Sequence, residues 1–114
     1  MHILGEVKGM TAILIDDIVA TAGSMMEAVE ALKAKGVKDV YAAASHGILS
    51  GTAIERITKC KELKELVITD SVTLTKEKQI EKIKVVTVAP LLAEAISRIH
   101  QEKSISCLFD ETRN

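Results

Sequence analysis

Two adjacent carboxylates, Asp16 and Asp17, stand shortly before a loop of small and hydroxyl-bearing residues, 20–24. Carboxylates suit the hydroxyl groups of a sugar, which they bind directly or through a hard divalent cation such as Mg²⁺. A loop of small residues that leads into a helix exposes backbone N–H groups, and these bind an anion such as phosphate. Together the two features predict a site for a sugar phosphate.

The residues of the loop contribute in different ways. Thr21 and Ser24 add hydroxyl donors. The small side chains of Ala22 and Gly23 let a phosphate approach the backbone closely. The alternative is that Ser24 merely caps the following helix, Gly23 relaxes the turn and the acids are solvated. The apolar strand before the acid pair favours the phosphate site, because ligands of parallel sheets bind where the strands end.

Apolar runs of strand length alternate with helical patterns along the chain. The predicted strands are residues 11–15, 40–44, 66–69, 85–89 and 105–109. The predicted helices are residues 24–35, ending at Gly36, residues 50–57, and residues 91–100, beginning at Pro90. Apolar strands joined by helices indicate a parallel sheet covered on both faces. The sequence therefore predicts an α/β three-layer sandwich with a mainly parallel sheet of about five strands.

The composition excludes several classes of function. A formal net charge of -1 leaves no large basic surface for nucleic acid, and aromatic residues are only 2% of the chain. Cys60 and Cys107 lack a CxxC spacing, which argues against zinc. The chain has no targeting pattern and no apolar run of membrane-spanning length. We expect one cytoplasmic domain over residues 1–114 that binds neither nucleic acid nor a membrane.

The stretch ILIDDIVATAGS, residues 13–24, resembles the phosphoribosyl-binding signature of type I phosphoribosyltransferases and ribose-phosphate pyrophosphokinases. Further blocks resemble, in order, the carboxyl-terminal half of ribose-phosphate pyrophosphokinase, namely residues 45–51, 53–57, 89–96 and 104–109. The resemblance covers nearly the whole chain and implies a phosphoribosyltransferase-like fold. The family's amino-terminal domain falls outside it.

The resemblance implies that Asp16 and Asp17 contact the ribose hydroxyls, or a sugar-bound Mg²⁺. It also implies a 5-phosphate site formed by Thr21, Ala22, Gly23 and Ser24. The family transfers the diphosphoryl group of ATP to ribose 5-phosphate with Mg²⁺, making phosphoribosyl pyrophosphate and AMP. Because its ATP pocket lies in the half outside the resemblance, this chain is expected to bind ribose 5-phosphate or phosphoribosyl pyrophosphate without catalysing the transfer alone.

The resemblance further implies a regulatory site for a nucleotide or phosphate at a subunit interface. Ser104, Ser106 and Phe109 match residues of that site. His46 and Ser50 lie in a block near subunit contacts, and we assign them no chemistry, because a strand-end histidine followed by glycine more often holds a turn. The expected assembly is a homo-oligomer or a complex with a longer synthetase chain.

One position departs from the family's signature, since Ala20 stands where the family usually has an acid. That acid helps to hold the ribose. Its loss should remove one charged hydrogen bond, about 1.5–3 kcal/mol or roughly ten- to a hundredfold in affinity. Adenine phosphoribosyltransferases carry Ala-Thr at the corresponding place, so the loop is expected to bind more weakly and still to bind.

A regulatory subunit that associates with a complete synthetase is the first competing function. It would use residues 104–109 and 45–51 as its interface. Arg56 and Arg98 are expected on helix surfaces, and the alternative for both is anion binding at such an interface.

A receiver-type signalling domain is the second competing function. Receivers also place an acid pair after the first strand, and Asp70 is the candidate for the phosphoacceptor after the third. Against this, a receiver expects a lysine after the fifth strand, where residues 110–114 read DETRN. A receiver also has no use for the small-residue loop.

Overall fold

The computed structural model of the chain describes residues 5–109, so the expectations for residues 110–114 lie outside the described residues. The strands are β1 (Thr11–Val19), β2 (Asp39–Gly47), β3 (Leu63–Thr69) and β4 (Ile83–Val86). The α-helices are α1 (Gly23–Ala34), α2 (Ala53–Lys59) and α3 (Ala89–His100). Short 3₁₀ turns occupy Lys76–Lys78 and Ser106–Phe109. No helix in residues 5–109 combines the length and apolar character needed to cross a membrane.

The strands form one sheet in the order β1-β2-β3-β4, and every neighbouring pair is parallel. Parallel neighbours need crossover connections, which α1 and α2 supply for the first two pairs. The predicted parallel α/β class is therefore confirmed. The sheet has four strands, not the five expected.

Residues 105–109, predicted as the fifth strand, contribute the 3₁₀ turn Ser106–Phe109 instead. The Ser106 N–H donates to Ser104 Oγ at 3.1 Å. Such a side-chain bond offers the backbone a partner that an extended strand would have found in the sheet. The apolar residues of this segment thus mimic a strand in the sequence while its serines favour a turn.

One face of the sheet is covered by α1 and α2. Strand side chains alternate between the two faces, so every second residue contributes to this core. The core includes Val40, Ala42 and Ala44 of β2, Leu66 and Ile68 of β3, Met25, Val29 and Leu32 of α1, and Ala53 and Ile57 of α2. These residues form a single aliphatic layer that fixes the positions of both helices.

The opposite face of the sheet has no covering layer within residues 5–109. This bare sheet face consists of Ile13, Ile15, Tyr41, Ala43, Val67 and Val86. Ile13 is 67% exposed, Ile15 82% and Val86 56%, and α3 buries none of its own residues. The three-layer prediction is therefore wrong for the described residues, which form two layers. The apolar strands predict a helical layer on each face of the sheet. Within residues 5–109, α1 and α2 supply such a layer for one face only.

The carboxyl end of β1 lies further along the chain than the sequence predicts. The sequence pattern predicts that β1 ends at residue 15, whereas β1 continues to Val19, with Asp16 paired to Ala44 and Ile18 to His46 of β2. Aspartates disfavour strands, which is why the sequence pattern ended the strand early. The predicted end of α1 is confirmed, because Gly36 follows the helix with a φ of 84°.

Candidate functional site

The β1–α1 loop, residues 20–24, joins the carboxyl end of β1 to the first turn of α1. Its N-cap residue is Ala22, whose φ of 65° and ψ of 11° are left-handed, and no side-chain cap bond is made there. The first helical hydrogen bond runs from the Met26 N–H to the Ala22 oxygen at 3.0 Å. The N–H groups of Gly23, Ser24 and Met25 precede that bond, so they are available to an external acceptor at the positive end of the helix.

Ser24 does not cap α1, because the N-cap position belongs to Ala22 and Ser24 lies inside the first turn. The alternative role of Ser24 as a simple capping residue is therefore excluded. Its side chain is exposed, as is that of Thr21. Both hydroxyl groups are accessible to a ligand beside the helix amino terminus.

A cavity of about 170 Å³ opens over the loop. It is lined by residues 16 and 18–25. The structure thus brings Asp16 together with Thr21, Ala22, Gly23 and Ser24, as the sequence predicted. Asp17 is the one predicted binding residue that does not line this cavity.

The two acids bond to the backbone that follows them. The Asp17 N–H donates to Asp16 Oδ1 at 2.7 Å, and the Ile18 N–H donates to Asp17 Oδ1 at 2.8 Å. The contact with the Asp16 side chain, followed by the Ile18 N–H, holds the pKa of Asp17 below its usual range, and His46 adds a weaker attraction. Asp17 is therefore a carboxylate at neutral pH, ready to accept hydrogen bonds from hydroxyl groups.

No group of three or more His, Cys, Asp or Glu side chains within residues 5–109 is placed to hold a metal ion. Asp16 and Asp17 provide two carboxylates, whereas Mg²⁺ takes about six oxygen ligands. The acids are exposed and accessible. The donor set therefore fits a Mg²⁺ that arrives with most of its oxygen ligands from substrate and water, and it does not fit a resident metal centre.

The connection between β2 and α2 supports the loop through its backbone. The N–H groups of Ile48 and Leu49 donate to the Val19 oxygen at 3.0 and 3.1 Å, and the Ser50 N–H donates to the Ala20 oxygen at 2.9 Å. Leu49 is buried and has a φ of 54°. Sequence reasoning missed this support, because backbone N–H groups act in the same way whatever their side chains are.

Arg56 of α2 also contacts the loop. Its Nη1 donates to the Thr21 carbonyl oxygen at 3.0 Å. A Cβ placed on Gly23 would lie 3.1 Å from the same nitrogen. The sequence pattern placed Arg56 on a helix surface, and it gave no signal for this contact between residues 35 positions apart.

His46 Nδ1 lies 2.7 Å from Ser71 Oγ, and that hydroxyl donates to the Ser45 oxygen at 3.1 Å. His46 therefore links the ends of β2 and β3, which agrees with the structural role expected for it. The side chain of Ser50 is not needed for the loop contact made by its backbone.

Asp70, the candidate phosphoacceptor of a receiver domain, is engaged with the segment before α3. Its Oδ1 accepts the Val88 N–H at 2.8 Å. The Thr87 hydroxyl, followed by that N–H, holds the pKa of Asp70 below its usual range. This carboxylate therefore fastens the end of β3 to the start of α3, which weakens the receiver interpretation.

The residues predicted for a regulatory site lie together after α3. Ser104 Oγ and Ser106 Oγ are 2.8 Å apart, and Arg98 Nη1 donates to the Ser104 oxygen at 3.2 Å. Phe109 is 77% exposed. The segment thus presents two hydroxyls and an exposed ring, and its regulatory role stays a prediction.

Comparison with known proteins identifies relatives over nearly the whole chain. A family model described as Phosphoribosyl synthetase-associated domain matches residues 1–110. Ribose-phosphate pyrophosphokinase of Caldanaerobacter subterraneus subsp. tengcongensis is 56% identical over 109 residues, and that of Bacillus subtilis is 52% identical over 109 residues. Each match covers 96% of this chain and 34% of the relative.

The fold of the chain is also similar to that of a solved synthetase structure. The crystal structure of phosphoribosylpyrophosphate synthetase from Mycobacterium smegmatis superposes with a TM-score of 0.84 at 38% identity. The superposition covers 87% of this chain and 33% of the synthetase chain. This chain therefore spans about a third of the length of the proteins it matches, not the half that the resemblance implied. The expected carboxyl-terminal location is not confirmed.

Proposed function

Because this chain belongs to the phosphoribosyl synthetase-associated domain family, we propose that it binds ribose 5-phosphate or phosphoribosyl pyrophosphate as part of a ribose-phosphate diphosphokinase. That reaction converts ATP and ribose 5-phosphate into phosphoribosyl pyrophosphate and AMP. The observation that carries the proposal is the cavity in which Asp16 adjoins the uncapped first turn of α1. The carboxylate suits the hydroxyl groups of a sugar phosphate, and the backbone amides beside it suit the phosphate group.

In this proposal the N–H groups of the first turn hold the 5-phosphate, with the hydroxyls of Thr21 and Ser24 as additional donors. Asp16 accepts hydrogen bonds from the ribose hydroxyls. Asp17, just outside the cavity, is placed to bind a Mg²⁺ that reaches the site on the substrate. Ala20 adds no carboxylate, so affinity is lower than in a loop that carries the family's acid.

We also propose that this chain does not carry out the diphosphoryl transfer by itself. Such a transfer needs cations around the departing nucleotide and alignment of both substrates. The residues that line the cavity include an aspartate and no lysine or arginine. Magnesium-dependent release of AMP from ATP and ribose 5-phosphate by the purified chain would contradict this part of the proposal.

Association with a longer synthetase chain, or with further copies of this chain, belongs to the same proposal. The bare sheet face supports it, because apolar patches of this kind commonly mark interaction sites. Ile15→Lys should weaken association measured by sedimentation velocity, whereas Glu30→Gln, an equal change of charge on an exposed residue of α1, should not. Equal association of both variants would assign the contact to another surface.

A regulatory subunit is the second candidate, favoured by the exposure of Phe109 and of Leu92 and Ile96 on α3. In that case the chain would modulate a complete synthetase through α3 and residues 104–109. Removal of the Phe109 ring by Phe109→Ala should then abolish modulation of an added synthetase without changing ribose 5-phosphate binding by this chain.

An amide NMR titration with ribose 5-phosphate, with and without Mg²⁺, tests the main proposal. Saturable shifts of residues 21–24 are expected, with weaker effects from ribose, which lacks the phosphate. Asp16→Asn should weaken binding, and Asp39→Asn, at the opposite end of the sheet, should leave it unchanged. The absence of shifts at millimolar ligand would overturn the proposal.

A further inference from the structure

The short helix α2 is fixed to the core at two points. Ala53 and Ile57 are fully buried. The helix has only seven residues, so these two contacts determine where its other side chains begin. Arg56 directly precedes Ile57, so its backbone is held firmly. Its side chain extends toward the β1–α1 loop.

The loop contains a conformation that needs external support. Ala22 is left-handed, a region that alanine seldom adopts. Backbone donors from the β2–α2 connection hold the two residues before Thr21, at the Val19 and Ala20 oxygens. The next carbonyl, that of Thr21, accepts its hydrogen bond from Arg56 Nη1 at 3.0 Å. Arg56 is thus the side-chain member of a series of contacts that secures successive peptide groups.

The peptide between Thr21 and Ala22 has its C=O and N–H on opposite sides, because the peptide group is planar and trans. Arg56 holds the carbonyl on one side and so directs the Ala22 N–H to the other. From this geometry we infer that Arg56 is a positioning residue for anion binding by the β1–α1 loop. The inference rests on the proposed function, since it concerns the same site.

The charge of Arg56 supports the same role. Within residues 5–109, no carboxylate lies within salt-bridge distance of its guanidinium, and its neighbour Glu55 pairs with Lys59 at 2.6 Å. The guanidinium therefore donates to the loop and forms no ion pair on α2, although its charge also helps to hold the pKa of Glu55 below its usual range. Because the contact is exposed, salt should screen this contribution.

Gly23 lies so close to Arg56 that the guanidinium limits which side chain position 23 can carry. The φ of Gly23 lies outside the left-handed region, so backbone conformation does not demand glycine here. A Cβ at this position would instead crowd Arg56 Nη1 at 3.1 Å. Gly23→Ala should therefore disturb the loop by displacing the guanidinium, and it should disturb the loop less once Arg56 has been shortened.

The test compares Arg56→Gln and Arg56→Lys with Lys61→Gln, a control that removes one charge from the exposed turn after α2. Loop amides of residues 21–24 are recorded without ligand, and inorganic phosphate and ribose 5-phosphate are then titrated. Arg56→Gln should shift these amides and weaken phosphate binding by roughly three- to tenfold. Arg56→Lys should restore part of the affinity, because it keeps the charge and one donor. The control should change neither quantity.

Unchanged loop amides in Arg56→Gln, relative to the control, would overturn the inference. Full additivity of Gly23→Ala and Arg56→Gln in the amide shifts would also count against it. Thermal unfolding of each variant separates loss of the fold from loss of loop position. The ligand-free measurement stands apart from the proposed function. If the wild-type chain bound inorganic phosphate but no ribose 5-phosphate, and Arg56→Gln still moved the loop and weakened phosphate binding, the positioning role would hold and the proposed function would fail.

Discussion

The two faces of the sheet are built from similar aliphatic residues and have different surroundings. On the covered face Val40 and Leu66 are 0% exposed and Ile68 is 1% exposed, whereas Ile13 and Ile15 on the bare face are 67% and 82% exposed. Residue type alone does not distinguish the faces. The difference comes from α1 and α2, so the covered face should carry the stability of the fold and the bare face should carry little of it.

The largest expected effect contrasts one substitution on each face. Leu66→Ala removes fully buried atoms and should lower the free energy of unfolding by about 2–5 kcal/mol. Ile15→Ala removes exposed atoms and should change it by less than about 0.5 kcal/mol. Urea denaturation at low protein concentration measures both. Similar losses would mean that Ile15 is covered in solution, and a loss that grows with protein concentration would identify self-association as the cause.

The next effect concerns close packing at the covered face. A Cβ added at Gly47 would lie 2.6 Å from Ile68 Cδ1 and 3.2 Å from its Cγ2. Gly47→Ala should therefore cost about 1–3 kcal/mol of stability through overpacking. Ile68→Val removes the nearest methyl group, so the double variant should lose less stability than the sum of the single losses. Strict additivity in a denaturation cycle would show that the added Cβ is accommodated by another movement.

A smaller effect separates two lysines near β4. Lys82 Nζ donates to the oxygens of Ile57 and Cys60 at 2.8 and 2.7 Å, which satisfies carbonyl groups at the end of α2. Lys82→Met should cost about 1–2 kcal/mol. Lys84→Met, on the exposed side of β4, should leave stability nearly unchanged. Thermal unfolding of both variants tests this contrast, and equal losses would contradict it.

The smallest effect concerns Asp17, at the loop end of β1. Its pKa is lowered in the fold, so its contribution to stability is present above the unfolded pKa and is lost as pH falls through the folded pKa. A carbon-13 titration of the carboxyl group should give a midpoint below that of an unfolded peptide. Asp16→Ala removes the side-chain contact that is the leading cause and should raise the midpoint. An unchanged midpoint would assign the shift to the Ile18 N–H instead.

The parallel α/β class, α1 and the loop residues could be predicted from sequence because each leaves a local pattern. Apolar spacing marks α1, and small residues between acid and helix mark the loop. The full length of β1 could not be predicted, since pairing of Asp16 and Ile18 with β2 overrides their local preferences. The Arg56 contact also escaped prediction, because it depends on how α2 packs.

The predicted third layer failed for a different reason. Ile13 and Ile15 have the character of buried strand residues, and that character does not reveal which segment covers them. The apolar residues 105–109 suggested a fifth strand, but the bond between the Ser106 N–H and Ser104 Oγ favours a turn. Local patterns therefore indicate which surfaces require cover, whereas the cover itself is decided by the arrangement of the whole assembly.

β1 stands at the edge of the sheet, with β2 as its one neighbour among the described strands. The outer edge of such a strand offers N–H and C=O groups to which another chain can add. A parallel strand joining there would bring its own carboxyl end beside Asp16 and the cavity over the loop. Extension of the sheet at this edge would therefore place the joining chain next to bound ligand. Ligand binding and strand addition would then favour or oppose one another through direct contact.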